Sequence, residues 1–514
     1  MTTIPEVVRG AVERFADREA LVDGDRRWTF TQLADDVRRA AKAFVAAGLE
    51  HGDRVAIWAP NSAEWMLAAL GAQFVGGVIV PLNTRFKGPE AAHVLQRSGA
   101  RLLLTVDGFL GLDFVREIRS AMTECPPIVL FAGRADDTRD WSEFVDTGAS
   151  TDDEVVEART ANVKGSDLCD IIFTSGTTGH PKGVMSRHDQ TCEVFQVWSE
   201  VVGLHRDDRY LIVNPFFHTF GYKAGFLACL LTGTTAIPMP IFDVPSVLRS
   251  VATERITMLP GPPTLYLSIL NHPDRDRFDL SSLRLAVTGA AAVPVEMIER
   301  MRRELTFRTI LTAYGLTEST GVVTMCRADD DAHTIAHTSG RAIPDVEVRI
   351  VDDSGLEVAY GEPGEIVCRG YNVMPGYFAE PEATAAAIDS DGWLHTGDVG
   401  VMDDRGYVTI TDRKKDMFIV GGFNAYPAEI ENALLAHPSI AQAAVVGAPD
   451  ERMGEVGHAF VVLRPNTTFH EPDFIEWCRT RMANFKVPRR VTVLENLPTN
   501  ASGKVLKYEL RRRS

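Results

Sequence analysis

Residues 168–173 form an apolar run that empties directly into Thr174-Ser175-Gly176-Thr177-Thr178-Gly179-His180-Pro181-Lys182-Gly183. A short apolar segment halted by a glycine- and hydroxyl-rich turn reads as a buried strand delivering its end into a tight loop. Such a loop suits an anion. Gly176, Gly179 and Gly183 let the backbone aim N–H groups at phosphate oxygens, while Thr174, Ser175, Thr177 and Thr178 add hydroxyl donors and Lys182 adds positive charge. The fifth residue after Gly176 is Pro181, where a Walker loop needs glycine, and the spacing gives no dinucleotide fingerprint either. Taken alone, these ten residues fit a surface turn as well as a binding loop.

The surrounding chain repeats the same rhythm. Helix-like and strand-like stretches alternate over 5–160, with a helix at 32–47, a strand at 54–58, a helix at 63–74 and a strand at 77–81, which predicts a mainly parallel, buried sheet. Residues 133–167 turn polar and acidic, with Asp136, Asp137, Asp140, Asp152 and Asp153, and are expected to form a surface connection. Beyond the loop, 187–202 reads as a helix and 210–213 as a strand ending in Asn214-Pro215-Phe216-Phe217-His218-Thr219-Phe220-Gly221, a stretch suited to a pocket wall. Position alone does not separate a functional His218 from a structural one. Strands at 256–259 and 283–287 end in Gly261-Pro262-Pro263 and Thr288-Gly289-Ala290-Ala291, small residues where strand ends should meet a ligand crevice. The strand at 309–312 delivers Ala313-Tyr314-Gly315-Leu316-Thr317-Glu318-Ser319. A carboxylate beside hydroxyls, expected on the same sheet edge as the phosphate loop, suits magnesium, which takes oxygen ligands. The same residues also suit a helix start, with Thr317 capping and Glu318 complementing the dipole.

From about residue 345 the texture shifts to short alternating strands at 346–351, 364–368, 399–402 and 407–411, with Trp393-Leu394-His395-Thr396-Gly397-Asp398 among them. Charges break the pattern at Thr411-Asp412-Arg413-Lys414-Lys415-Asp416, which places a boundary between a large domain, 1–412, and a small one, 413–514. The small domain reads as α+β, with a helix from Pro427, strands at 443–446 and 459–463, a helix at 472–482 and a last polar loop ending at Ser502-Gly503-Lys504.

Composition narrows the class. A chain of 514 residues, 45% hydrophobic and 24% charged, is that of a soluble protein of two or more domains. The most apolar stretch, 66–80, is broken by Gly71, Gln73, Gly76 and Gly77, so no transmembrane span is expected, and residues 1–18 lack a secretory signal. Seven scattered cysteines, none in a CxxC pair, predict a reduced, cytoplasmic protein without a cysteine zinc site. A net charge of −17 argues against nucleic-acid binding, yet 413–514 carries 15 Lys and Arg against 11 Asp and Glu. A mildly basic end segment suits polyphosphate ligands held by an acidic body, and it equally suits a chance excess from Arg511, Arg512 and Arg513 at the tail. The sequence leaves open whether the chain forms a homo-oligomer.

Five stretches, TSGTTGHPKG at 174–183, YGLTES at 314–319, WLHTGD at 393–398, DRKKD at 412–416 and NASGK at 500–504, together resemble the adenylate-forming superfamily of acyl-CoA synthetases, carrier-loading adenylation domains and luciferases. The resemblance spans nearly the whole chain. It implies an α/β fold with a large N-terminal domain of α/β layers, parallel sheets and a β-rich subdomain, plus a small mobile α+β C-terminal domain. It also implies an AMP-forming acid-thiol ligase: a small-molecule carboxylic acid and ATP give acyl-AMP and pyrophosphate, and the thiol of CoA then displaces AMP. Bringing a carboxylate to the α-phosphate joins two anions, so magnesium, backbone N–H groups and a lysine have to neutralise charge.

Carried over residue by residue, the resemblance gives residues 174–182 the pyrophosphate end of ATP, with Thr178 and Glu318 organising Mg²⁺. Lys504 bridges the reacting carboxylate and α-phosphate. Asp398 accepts from the ribose hydroxyls with Arg413 beside it, Gly289, Ala290, Ala291 and Tyr314 line the adenine, and Gly315 and Thr317 complete the ATP site. His218 gates an acyl pocket lined by Phe217, Phe220 and Gly221. Lys415 falls at the domain hinge, and Gly421 and Gly422 in a loop that domain rotation brings to the active site. Met453 stands where some relatives carry tryptophan, which leaves Phe485 and Lys486 as the CoA candidates. Rotation lets one site run two reactions, the first presenting Lys504 and the second opening a tunnel for pantetheine.

At finer resolution NPFFHTFGYKAG at 214–225, GPPTLY at 261–266 and GGFNAYPAE at 421–429 resemble actinobacterial ligases that activate propionate side chains on rings left by steroid breakdown. This implies a bicyclic propionate substrate, with Lys223 either meeting a ring carbonyl or lying on the surface. The alternatives are a medium- or long-chain fatty acid CoA ligase and a free-standing acyl-AMP ligase loading a carrier protein. An amino-acid-activating domain would need a carboxylate for the substrate amine, and 215–226 holds no Asp or Glu. A noncatalytic nucleotide-binding module explains the loop and Glu318 but leaves Lys504 and the hinge without a purpose.

Overall fold

The computed structural model describes residues 2–174, 181–289, 293, 295–352, 354–413, 418–425, 427–464, 467–498, 505 and 507–514. At its centre lies a seven-stranded sheet whose strands, in spatial order, are Lys182–Arg187, Leu168–Thr174, Val78–Pro81, Arg54–Trp58, Leu102–Thr105, Ile128–Leu130 and Arg139–Asp140. Neighbours run parallel except for the first pair, an antiparallel hairpin in which Thr174 faces Lys182. The strands Val78–Pro81 and Leu102–Thr105 are buried along their whole length, as expected where helices cover both faces. The helix Ala63–Phe74 is apolar nearly all round, with Ser62 capping its start, and is buried at every position but Glu64.

A second layer holds two four-stranded sheets. One orders Arg209–Ile212, Thr235–Pro238, Glu19–Asp23 and Arg26–Thr29; the other orders Leu285–Gly289, Thr309–Tyr314, Thr324–Met325 and Arg341–Ala342. The strand expected at 256–259 is reduced to a bridge at Met258, which pairs in parallel with Tyr210 on one side and Leu285 on the other. It stitches the two sheets together before the Gly261-Pro262-Pro263 turn removes backbone donors. An antiparallel meander of Val346–Val351, Gly364–Gly370, Leu394–Met402 and Val408–Arg413 follows. Last comes a sheet of Phe423–Ala425, Phe418–Val420, Gly454–Leu463 and Ile440–Asp450, with Arg490–Val493 added parallel to Gly454–Leu463.

The acidic stretch at 133–167 corrects the expectation of a plain connection. It contains the helices Trp141–Asp146 and Asp153–Asn162 with a 3₁₀ turn between them. Asp140 is a helix cap, accepting from the Ser142 N–H at 2.8 Å, and the sparse apolar residues Phe144 and Val156 are buried. Phe144 meets Phe44 of the Phe30–Ala46 helix edge to face at 5.2 Å. Among the described residues one hydrophobic core runs from Ile4 to Val408, a small cluster joins Val351, Val367 and Trp393, and two more lie between Phe418 and Leu510. Among the described residues no helix is long and apolar enough to cross a membrane.

Candidate active site

The glycine-rich run links the two strands of the hairpin at the edge of the central sheet. Ser175, Gly176, Thr177, Thr178 and Gly179 lie outside the described residues, but the residues at its mouth do not. The Lys182 ammonium stands 4.9 Å above the centre of the Tyr377 ring. Tyr377 is held by a backbone bridge to Val184, and Phe378 N–H donates to Gly183 O at 2.7 Å.

Glu318 reaches this place from the other layer. The expectation that it shares a sheet edge with the phosphate loop is therefore corrected: it follows the strand Thr309–Tyr314, whereas the loop follows Leu168–Thr174. What joins them is the segment 374–378. Tyr377 Oη donates to Glu318 Oε1 at 2.8 Å, and Met374 N–H donates to Glu318 O at 2.8 Å. Thr317–Ser319 is a single 3₁₀ turn preceded by Leu316, so Thr317 begins the turn rather than capping a helix. A half-buried carboxylate steered by a phenol beside Lys182 has the donor chemistry for magnesium, which takes one or two carboxylates along with substrate phosphates. Among the described residues no group of three or more His, Cys, Asp or Glu is arranged around a common centre for a metal.

Behind Glu318 the strand ends are shaped by missing side chains. A β-carbon on Gly289 would sit 2.7 Å from Ala313 O, and one on Gly315 would sit 2.2 Å from Gly321 O. Tyr314 Oη donates to Asp398 Oδ2 at 2.7 Å, in a pair that is almost wholly buried. Burial first, then the Asp398 charge, push the Tyr314 hydroxyl far above its ordinary pKa, so it stays a donor. The loop carrying Asp398 is clamped by Glu365, which accepts from Gly397 N–H at 3.0 Å and faces His395 Nδ1 at 3.3 Å. Arg413 is the backbone partner of Asp398 across the ladder. Ala290, Ala291, Lys415 and Lys504 lie outside the described residues.

The aromatic stretch after Arg209–Ile212 divides by burial. Phe216 and Tyr222 are core residues at 0% exposure, packed on Trp65, whereas Phe217 keeps 8% exposure and Phe220 is half-buried. His218 is exposed to the cleft, and its Nδ1 accepts from Phe220 N–H at 3.2 Å, which leaves the ring proton on Nε2. The protein around it lowers its pKa, favouring the neutral ring. Gly221 has no room for a side chain, since a β-carbon would lie 2.1 Å from Pro215 O. The next residues, Tyr222–Leu227, form a π-helical turn with Gly225 off the helical path at φ −86°, ψ −105°. Lys223 neither meets a ring carbonyl nor lies on the surface. It is buried, 2.9 Å from Asp170 Oδ2 and 2.8 Å from Ser186 Oγ.

The small domain approaches this cleft through Gly421 and Gly422, both at positive φ. A β-carbon on Gly422 would come 3.8 Å from Pro262 Cγ of the large domain, and one on Gly421 would come 2.5 Å from Met453 Cε. Met453 thus packs beneath the loop. Phe485 stacks on Phe423 at 4.9 Å, and the Lys486 ammonium is held by Glu90 and Glu429 at 2.7 and 2.6 Å.

Residues 8–378 match the AMP-binding enzyme family, and residues 429–504 match the AMP-binding enzyme C-terminal domain. The chain belongs to the AMP-binding enzymes. Over 517 residues, 99% of this chain and 98% of the other, this AMP-binding enzyme is 52% identical to the 3-[(3aS,4S,7aS)-7a-methyl-1,5-dioxo-octahydro-1H-inden-4-yl]propanoyl:CoA ligase of Rhodococcus jostii. The protein of that name from Mycobacterium tuberculosis is 51% identical over 512 residues, 99% of each chain. Among solved structures, a double mutant of the o-succinylbenzoate CoA synthetase of Bacillus subtilis bound with its product analogue OSB-NCoA matches with a TM-score of 0.83 at 28% identity, covering 100% of this chain and 99% of that one. The same synthetase in complex with the acyl-adenylate intermediate OSB-AMP matches with a TM-score of 0.67, also at 28% identity and with 99% of each chain covered.

Within this AMP-binding enzyme, Tyr377, Glu90 and Asp170 are partners that the motifs did not single out, and Glu429 closes the stretch at 421–429 without a role having been read for it. Tyr377 sits 59 residues from Glu318 and Lys486 sits 396 residues from Glu90, so only the folded chain brings them together.

Proposed function

We propose that this enzyme joins a steroid-derived bicyclic propionate to coenzyme A, using ATP to form an acyl-AMP and releasing AMP and pyrophosphate. The observation that carries the reading is the 52% and 51% identity, over 99% of the chain, to two ligases named for a methyl-dioxo-octahydroindenyl propanoyl group. The site is consistent with it. An exposed neutral histidine stands beside Phe217 and Phe220 at the mouth of an aromatic wall, and Gly221 and Gly225 keep the wall's backbone close.

In this reading residues 174–182 hold the pyrophosphate end of ATP, and Tyr377 orients the Glu318 carboxylate towards it. Glu318 and Thr178 would hold a magnesium ion there, which would supply charge neutralisation for the phosphates. Gly289, Ala290, Ala291, Tyr314, Gly315 and Thr317 surround the adenosine, and Asp398, fixed by Tyr314 and flanked by Arg413, accepts from the ribose. Lys504 neutralises charge between the attacking carboxylate and the α-phosphate. Residues 413–514 form the lid that turns about Lys415, carrying Gly421 and Gly422 to the pantetheine path, with Phe485 on the CoA side. The higher TM-score against the product-analogue complex, 0.83 against 0.67 for the acyl-adenylate complex of that enzyme, supports reading this structure as the arrangement for thiol transfer.

The test is kcat/KM across an acid panel, with pyrophosphate and acyl-CoA both followed. The bicyclic propionate is expected to lead. A fatty acid of twelve to sixteen carbons that exceeds it by about tenfold, or ~1.4 kcal/mol of transition-state preference, would refute the substrate while leaving the ligase reaction standing.

A further inference from the structure

Glu90 belongs to none of the motifs. It lies in the first turn of the helix Gly88–Ser98 on the large domain, where its Oε2 accepts from Lys87 N–H at 3.0 Å. Its other oxygen, Oε1, faces the lid. There the Lys486 ammonium, its side chain 2% exposed, is 2.7 Å from Glu90 Oε1 and 2.6 Å from Glu429 Oε1. Phe86 of the large domain and Phe485 of the lid close the box, with ring centres 4.9 and 5.5 Å from the ammonium. Half of the enclosure is therefore supplied by each domain.

The electrostatics tie this contact to the lid's position. Burial alone would lower the Lys486 pKa, but Glu90 and Glu429 outweigh it and raise the pKa, so the lysine stays charged. Burial raises the Glu90 pKa despite the lysine beside it. Two carboxylates thus share one ammonium in a dry place, and Glu429 Oε2 has no hydrogen-bond partner among the described residues. When the lid turns away, the large domain keeps Glu90 and loses the lysine, while water returns to all three groups. A contact whose gain barely exceeds its desolvation cost can be made and broken in every turnover.

We infer that Glu90 is a positioning residue for thiol transfer: it seats the lid, through Lys486, in the arrangement that brings Gly422 against Pro262, while Glu429 holds the ammonium from within the lid. This rests on the reading above that one site runs adenylation and then thioester formation. No reacting atom touches Glu90, so its effect passes entirely through the lid.

The experiment separates the half-reactions in the full-length enzyme. Glu90→Gln removes the charge, while its amide oxygen still accepts from Lys87 N–H, so the helix start is retained. Pyrophosphate release in a single turnover without CoA is expected to match the wild type within about twofold, and acyl-CoA formation from supplied acyl-AMP is expected to fall about tenfold or more. Glu90→Asp should recover part of the second step. A Glu90→Gln enzyme in which both half-reactions fall alike, or in which thioester formation is unchanged, overturns the inference. Wild-type enzyme that releases no pyrophosphate with any acid would instead sink the ligase reading, whatever the variants do.

Discussion

Replacing Lys223 with methionine should be among the most damaging changes near His218, because the lysine is buried and paired. Lys223 and Asp170 are 1% and 0% exposed and 2.9 Å apart. Asp170 lies in the strand Leu168–Thr174 that leads into the glycine-rich loop, and Lys223 lies in the π-helical turn after His218. The pair therefore ties the aromatic stretch around His218 to the strand behind that loop. Asp170 Oδ1 already lacks a hydrogen-bond partner among the described residues, so the carboxylate depends heavily on the ammonium at Oδ2. Lys223→Met leaves that charge buried, at a cost of about 3–5 kcal/mol. Against the usual stability of roughly 5–15 kcal/mol this is about a fifth of the total or more.

Asp170→Asn makes the mirror-image defect, with a buried ammonium left on Ser186. The double variant carries neither charge, and its cost should fall well below the sum of the two single ones. A coupling energy of about 2 kcal/mol or more is expected from urea unfolding of the wild type and the three variants at pH 7. The single variants should also raise KM for both acid and ATP, because the stretch around His218 and the strand behind the loop are joined through this pair. Costs that add to within about 0.5 kcal/mol would show that the two side chains do not compensate each other, and the argument would fail.

Tyr377→Phe should slow pyrophosphate release by about tenfold, since it removes the donor to Glu318 while keeping the ring under Lys182, and should spare thioester formation from supplied acyl-AMP. Equal effects on the two half-reactions would refute this positioning role. His188 predicts acid sensitivity of the fold: its buried ring accepts from Ile4 N–H at 3.2 Å, and burial lowers its pKa from 6.5 to about 4. The unfolded chain then binds more protons than the folded one between these values, so stability is full above pH 6.5 and falls as pH drops towards 4, by about 3 kcal/mol at most. His188→Gln should flatten that part of a urea-unfolding series from pH 7 to 4.5, and an unchanged slope would exclude His188 as its source.

What the sequence made legible was local. The strand at 54–58, the helix at 63–74 and the strand at 346–351 match the folded chain residue for residue, because an apolar pattern bounded by a cap or turn carries its own limits. The acidic stretch at 133–167 misled because an aspartate at a helix cap and an aspartate in a loop look the same in a polar composition, and only Phe144 and Val156 mark the buried sides. Lys223 misled for the opposite reason. A lysine beside glycines suggests surface or ligand, and its partner Asp170 lies on a distant strand, Leu168–Thr174, whose apolar neighbours hide it. The site itself was legible as separate stretches, not as contacts. Tyr314 and Asp398 stand out in two motifs 84 residues apart, but their hydrogen bond is a product of packing. Tyr377 has no local signal at all, since its importance comes from lying between Lys182 and Glu318.

The contact at Lys486 also bears on why the lid is held by charge rather than by an apolar seam. On the proposed roles, adenylation needs the lid turned so that Lys504 enters the site, and thiol transfer needs it turned as seen here. With two populated positions, each ~1.4 kcal/mol of extra preference for one lowers the population of the other about tenfold. Replacing a buried ion triad with well-packed apolar side chains often gains 1–4 kcal/mol, which here would tax the first half-reaction by about five- to nearly a thousandfold. An ammonium shared between Glu90 and Glu429, with one carboxylate oxygen left without a partner among the described residues, gives up that surplus. It keeps direction, because Lys486 fits only where Glu90 and Phe86 meet it, without the binding strength that would trap the lid. On the proposed roles, the hydrogen bond that Glu429 lacks among the described residues suits a contact remade in each catalytic cycle better than a fully satisfied triad would.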